Sequence, residues 1–186
     1  MQLNGSTNIK APRQRVWEFM IDPDAVARCA PGVESMEVIE PNKKFKVIAS
    51  VGFGTVKVKF NTDVELTELN PPTSGTIKAR GTGQGNTANV VASFTLSDGD
   101  NRTTDLAWTA DVTIVGSIAG MATRLMGSVT QNLSGKFFEC MKAQVEVAEG
   151  VIEAPTARPS FFSRLIQAIR DFFARLFGGG KTEARE

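Results

Sequence analysis

The chain contains no histidine and no tyrosine, and only two of its 186 residues are cysteine. Without histidine no Ser-His-Asp or Cys-His relay can be assembled, and the commonest metal ligand is missing. A zinc site would have to be built from Cys29, Cys140 and carboxylates, yet the two cysteines lie far apart in the chain and form no C-x-x-C pair. They read as small buried hydrophobes, and such sparse usage fits a reducing compartment. The opening MQLNGSTNIKAPRQRVW holds no apolar run of the kind a secretory leader carries, so the expected location is the cytoplasmic side. What is present is 41% hydrophobic residues, enough to bury a core and too many for a disordered chain.

The net charge of +1 averages two unlike parts. Residues 155–186 carry six basic and three acidic side chains, which leaves 15 basic against 17 acidic in residues 1–154. A mildly acidic body therefore precedes a basic end. The body has no aromatic-basic stripe along its strands, which argues against nucleic acid as a partner.

Hydrophobic periodicity orders the elements. Met1–Lys10 alternates as an opening strand. In APRQRVWEFM, Pro12 suits the first position of a helix whose apolar side is Val16, Trp17, Phe19 and Met20; Asp22 and Pro23 then open a second short helix that Pro31-Gly32 stops. Period two follows. Val56, Val58, Phe60, Thr62, Val64 and Leu66 fall on one face, with Lys57, Lys59, Asn61, Asp63 and Glu65 on the other. Similar alternation runs through Phe45, Val47, Ala49 and Val51, through Val90, Ala92, Phe94 and Leu96, and from Leu106 to Ile114. With turn signals at each break, these give a meander of about six strands after the opening one, about seven in all.

From Ile118 the period becomes 3.6, and a stripe through Met121, Ala122, Leu125, Met126, Val129, Leu133, Phe137, Cys140 and Met141 describes one long amphipathic helix. Gly120, Gly127 and Gly135 interrupt it, which suggests close packing or bending. A strand, two short helices, a curved antiparallel meander and a long closing helix make an α+β fold.

Residues 148–160 read as a linker broken by Gly150, Pro155 and Pro159. Beyond them, Phe161, Phe162, Leu165, Ile166, Ile169, Phe172, Phe173, Leu176 and Phe177 recur at helical spacing, with Arg164, Arg170 and Arg175 opposite. Five of the chain's twelve Phe lie here. The arginines forbid a bare membrane span. An interfacial helix over 161–177 satisfies both faces: the apolar side enters the acyl boundary and the arginines meet anionic headgroups. Docking on the chain's own body or on a protein partner is the alternative. Residues 178–186 read as a disordered end.

Two weaker signals carry less. The segment Gly81-Thr82-Gly83-Gln84-Gly85 has the look of a nucleotide loop, but a strand follows it and supplies no helix N-terminus for phosphate, so it reads as a turn. Asp63, Glu65 and Glu68 form an acidic run, yet Asp63 and Glu65 share the outward face with Lys57 and Lys59, as on a solvated strand.

The blocks MQLNGS, APRQRVWEFMIDPDAVARCAPGVESME, SVGFGTVKVKF, GTGQGNTANVVASFTL and ADVTIVGSIAGMATRLMG, in that order, resemble the CoxG-like family, named for the CoxG subunit of carbon monoxide dehydrogenase. The resemblance implies a START-like helix-grip domain over residues 1–147, in which the sheet grips the long helix and leaves an apolar cavity. It implies an accessory and non-enzymatic role beside a molybdenum-containing carbon monoxide dehydrogenase, in membrane association or in passing electrons to the quinone pool, and it supplies no catalytic residue. Periodicity alone favours a filled core, and only the resemblance reverses that preference. If the cavity exists, its lining is expected from Phe45, Val47, Val58, Phe60, Phe94, Trp108 and Ile114 on the sheet and from Met121, Leu125, Met126 and Val129 on the helix. Such a lining suits a hydrophobic lipid, for instance a quinone of the menaquinone or ubiquinone type, with methionines that adapt to a flexible guest. The expectation is a lipid carrier held at the inner face of the cell membrane by residues 161–177; the alternative is a recruitment adaptor with no internal ligand.

Overall fold

A computed structural model describes residues 1–146. The expected linker 148–160, the amphipathic helix 161–177 and the end 178–186 lie outside the described residues, as does Val147.

The alternating segments form strands and the 3.6-period segment a helix, as their spacing requires. Strand β1 (Gln2–Ile9) is followed by α1 (Arg13–Ile21) and α2 (Pro23–Cys29), then by β2 (Val33–Glu40), β3 (Lys44–Phe53), β4 (Val56–Asn70), β5 (Ser74–Gly83), β6 (Asn86–Asp98) and β7 (Thr104–Val115), and by α3 (Ala119–Val145). Asp22 caps α2 by accepting hydrogen bonds from the backbone N–H groups of Asp24 (2.9 Å) and Ala25 (3.1 Å). Pro12 stands one position earlier than expected, in extended conformation just before Arg13, the first helical residue.

All seven strands belong to one antiparallel sheet in the order β1-β7-β6-β5-β4-β3-β2. β1 returns to pair with β7, with Leu3 opposite Ala110 and Gly5 opposite Trp108, because α1 and α2 carry the chain away before the meander begins. Gly5 has a spatial reason: a Cβ there would stand 2.9 Å from the Trp108 ring. The even-numbered residues of β4 as far as Leu66, and those of β6 and β7, turn to the concave face, together with the odd-numbered residues of β1, β3 and β5; the opposite face is mostly polar and charged, and a bulge after Thr67 reverses the alternation at Glu68 and Leu69.

The concave side divides into two apolar groups. In one, α1, α2 and the end of α3 close over the sheet: Trp17 meets Phe94 at 6.0 Å between ring centroids, Phe19 meets Phe137 at 6.3 Å, and Ile9, Leu106, Met141 and Val145 fill the space between. This half is a filled core, in which each large side chain contributes about 1.5–3 kcal/mol by burial. The other half lies under the first part of α3, where Phe53, Val58, Phe60, Ala110 and Val112 face Ala122 and Met126.

Two expectations are corrected here. Cys29 and Cys140 are not free: they form a disulfide that ties α2 to α3, with Cα atoms 5.4 Å apart. Cysteine usage therefore no longer argues for a reducing compartment. The three α3 glycines do not serve close packing among the described residues, because a Cβ at Gly120, Gly127 or Gly135 would meet none of their atoms within 4 Å.

Candidate functional site

Between the sheet and the middle of α3 lies a cavity of about 340 Å³. It exists because the inward residues at the centre of the sheet are small. Across neighbouring strands Gly81 pairs with Thr62 and Ala88, Ala79 with Val90, and Ala49 with Phe60. Gly81 and these alanines leave volume that Met126, Val129 and Leu133 of α3 do not fill. Gly81 cannot be enlarged freely: a Cβ would stand 3.0 Å from the Thr62 hydroxyl and 3.2 Å from the Phe60 Cβ. The remaining wall comes from Leu3, Val51, Phe53, Val112 and Ile114. Among the described residues only three side chains of the lining carry a polar atom, namely Thr62, Thr130 and Ser134, and none carries a charge. The size falls at the lower end of ligand pockets, which run from roughly 300 to 1,000 Å³.

Of the residues expected to line a cavity, the structure places Phe60, Ile114, Met126 and Val129 on its wall. The others are elsewhere. Val58 is 1% exposed and spent in the core beside the cavity. Phe94 packs against Trp17 in the filled half, with the ring planes tilted by 45°. Trp108 lies between the two halves, packed against both. Phe45 and Val47 share the concave face with Ala49 and Val51, nearer the other end of β3, and do not reach the lining. Leu125 packs toward the β3–β4 hairpin, where a Cβ at Gly54 would stand 3.5 Å from its Cδ1. Met121 is 38% exposed, because the stripe of α3 buries Ala122 and Met126 and turns position 121 away.

Ala49, Ala79, Gly81, Ala88 and the hydroxyl residues carry the signal of this cavity in the sequence. Small inward residues aligned across adjacent strands mark a void, whereas large ones mark its closure.

The segment Gly81–Gly85 is no phosphate loop. Gly81 and Gly83 belong to β5, Gln84 and Gly85 make the turn with φ of 52° and 73°, and β6 follows. On the outward side of the sheet, Glu34 accepts hydrogen bonds from Lys59 (2.6 Å) and from the Ser50 hydroxyl (2.6 Å). The Lys59 ammonium, with Ser50 second, holds the Glu34 carboxyl below its ordinary value of 4.5. This is an ion pair on the opposite face of the sheet from the cavity lining. Among the described residues no group of three His, Cys, Asp or Glu side chains is placed to hold a metal ion, and no helix is long and apolar enough to cross a membrane.

A seven-stranded antiparallel sheet closed by one long C-terminal helix over an apolar cavity is the START-like, helix-grip class of fold. Residues 5–146 match the family of the CoxG subunit of carbon monoxide dehydrogenase, and the chain belongs to that family. It is similar to a conserved protein from Geobacillus kaustophilus, with 26% identity, a TM-score of 0.72, and coverage of 78% of this chain and 95% of that one. It also shares its fold with the Zhui aromatase/cyclase from Streptomyces sp. R1128 (17% identity, TM-score 0.61, 78% and 93% covered). A START superfamily protein from Mycobacterium smegmatis is a third (10% identity, TM-score 0.60, 78% and 97% covered). No curated protein matches the chain.

Proposed function

We propose that the chain is a non-enzymatic accessory protein of a carbon monoxide dehydrogenase-type molybdenum enzyme. In this reading it carries an uncharged, quinone-like lipid, of the menaquinone or ubiquinone type, in the cavity under α3. It meets the inner face of the cell membrane through residues 161–177 and so links the enzyme to the quinone pool. Membership of the CoxG family supports the place beside the enzyme. The observation that carries the cargo is the cavity itself: about 340 Å³, apolar but for three hydroxyl residues, and without a charged wall that would favour an ionic guest. In this reading the redox chemistry belongs to the guest and to the enzyme.

The test is isothermal titration of the full chain with decylubiquinone in dilute non-ionic detergent. Saturable binding of one molecule per chain is expected, and Ala88→Phe, which puts a ring into the cavity, abolishes it. Binding that Ala88→Phe leaves unchanged would place the guest elsewhere and sink the cargo reading.

A further inference from the structure

The three hydroxyl residues of the cavity are not equivalent. Thr62 stands on the sheet wall, beside Gly81. Thr130 and Ser134 are four residues apart on α3 and therefore project from one side of it, one turn from each other. Both also line a second depression, a groove of about 450 Å³ between β1 and α3 that contains Asn4, Trp108, Gln131 and Phe138. The two residues thus stand where the apolar cavity and this more polar groove meet.

Their hydroxyls are also unlike others on the same helix. Thr123 returns its hydroxyl to the carbonyl oxygen of Ala119 and Ser128 to that of Leu125, both at 2.9 Å, the usual outcome for such residues inside a helix. Thr130 and Ser134 make no such bond, and no other protein partner takes their hydroxyls among the described residues. No buried side-chain oxygen or nitrogen there is sealed away without a partner, so these two are open to whatever occupies the junction. Among the described residues the charge there is balanced: they give the groove one cation, Lys142, and one anion, Glu139, and so no net attraction to a carboxylate or phosphate.

We infer that the guest is an amphiphile whose uncharged, oxygen-bearing head is held by Thr130 and Ser134 at this junction, with its apolar part inside the cavity. The hydroxyls donate to the head's carbonyl or hydroxyl oxygens, Trp108 and Phe138 flank it on the groove side, and Ala49, Ala79 and Ala88 leave the room its apolar part occupies. The head then faces the groove rather than the depth of the fold, where a partner can reach it. This inference rests on the cargo reading above and specifies its orientation and chemical class.

The test compares three probes of one chain length, decylubiquinone, decylbenzene and decanoate, by isothermal titration on the full chain and on Thr130→Val/Ser134→Ala. Losing two such hydrogen bonds should weaken decylubiquinone about tenfold or more and leave decylbenzene unchanged. The unchanged decylbenzene shows that the variant is folded and its cavity intact. Equal binding of decylubiquinone by both proteins overturns the head assignment and leaves the cargo reading standing. Loss of both probes in the variant also overturns it, since the residues then shape the cavity rather than hold a head. Decanoate binding as tightly as decylubiquinone contradicts the uncharged head. A wild-type chain that takes up none of the three removes the cargo reading itself.

Discussion

The side-chain oxygen of Asn86 accepts a hydrogen bond from the backbone N–H of Ile118 at 3.1 Å, while its amide nitrogen donates to the carbonyl of Gln84 at 2.9 Å. Asn86 is 4% exposed and opens β6; Ile118 is the residue before α3. The helix has no side-chain cap of its own there, so the first residue of β6 satisfies the free donor at its start. The same contact fixes where α3 leaves the sheet and hence how it roofs the cavity. Asn86→Ala should cost about 1–3 kcal/mol, because it strands buried backbone groups. Urea unfolding monitored by circular dichroism measures it; a loss under 0.5 kcal/mol, roughly the ordinary effect of a surface change, would show that the contact does not anchor the helix.

The glycines of α3 offer the opposite prediction. Gly120→Ala, Gly127→Ala and Gly135→Ala each place a methyl group in open space and remove backbone freedom from the unfolded chain. Each should stabilise the domain by about 0.5–1 kcal/mol, a rise of roughly 2–4 °C in Tm. Scanning calorimetry of the three single variants checks this.

The disulfide between Cys29 and Cys140 spans 111 residues and joins α2 to the last turns of α3. Closing so long a loop restricts the unfolded chain strongly, and Cys140→Ser should lower stability by about 2–5 kcal/mol. Comparison of urea midpoints for the oxidised wild type and the variant measures the loss. Addition of a reductant should bring the wild type to the variant's value.

Acid reveals the surface pair. The folded-state pKa of Glu34 lies below its unfolded value because Lys59 and Ser50 favour the carboxylate. The folded state therefore binds this proton less readily than the unfolded state, and the stabilisation is present above the unfolded value and lost as pH falls through the folded one. The stability difference between wild type and Glu34→Gln should be level from pH 7 to about 5 and shrink below about 4.5. A difference that grows on acidification would give the pair the wrong sign.

Much of the fold is legible in the sequence because periodicity is a property of the chain itself. Val58 and Lys59, or Leu106 and Trp108, declare their faces without knowledge of a partner. The cavity is harder to read. Phe94 and Phe60 have the same inward pattern, yet one packs against Trp17 and the other lines a void, and only the strand register and the placement of α1 decide which. Met121 and Met126 both fit a 3.6-residue stripe, but the stripe is wider than the surface that α3 buries, and its edge is exposed. The disulfide depends on bringing α2 beside the end of α3, a tertiary event that spacing along the chain does not encode.

Residues 155–186 hold six basic side chains and the Phe-rich stretch 161–177. Deleting them should abolish sedimentation of the protein with vesicles containing anionic lipid while leaving the thermal unfolding of the domain unchanged. Raising the salt concentration should weaken the intact chain's binding, since each basic residue near such a surface contributes about 1 kcal/mol by a screened attraction. Binding that survives the deletion would assign membrane contact to the body.

The most direct measurement is native mass spectrometry of the full chain after incubation with quinone-containing vesicles, followed by organic extraction of the separated protein. The expected result is one neutral quinone per wild-type chain and none on Ala88→Phe. A wild-type chain that stays empty under the same conditions, or an Ala88→Phe chain that carries the same load, would contradict a lipid cargo under α3.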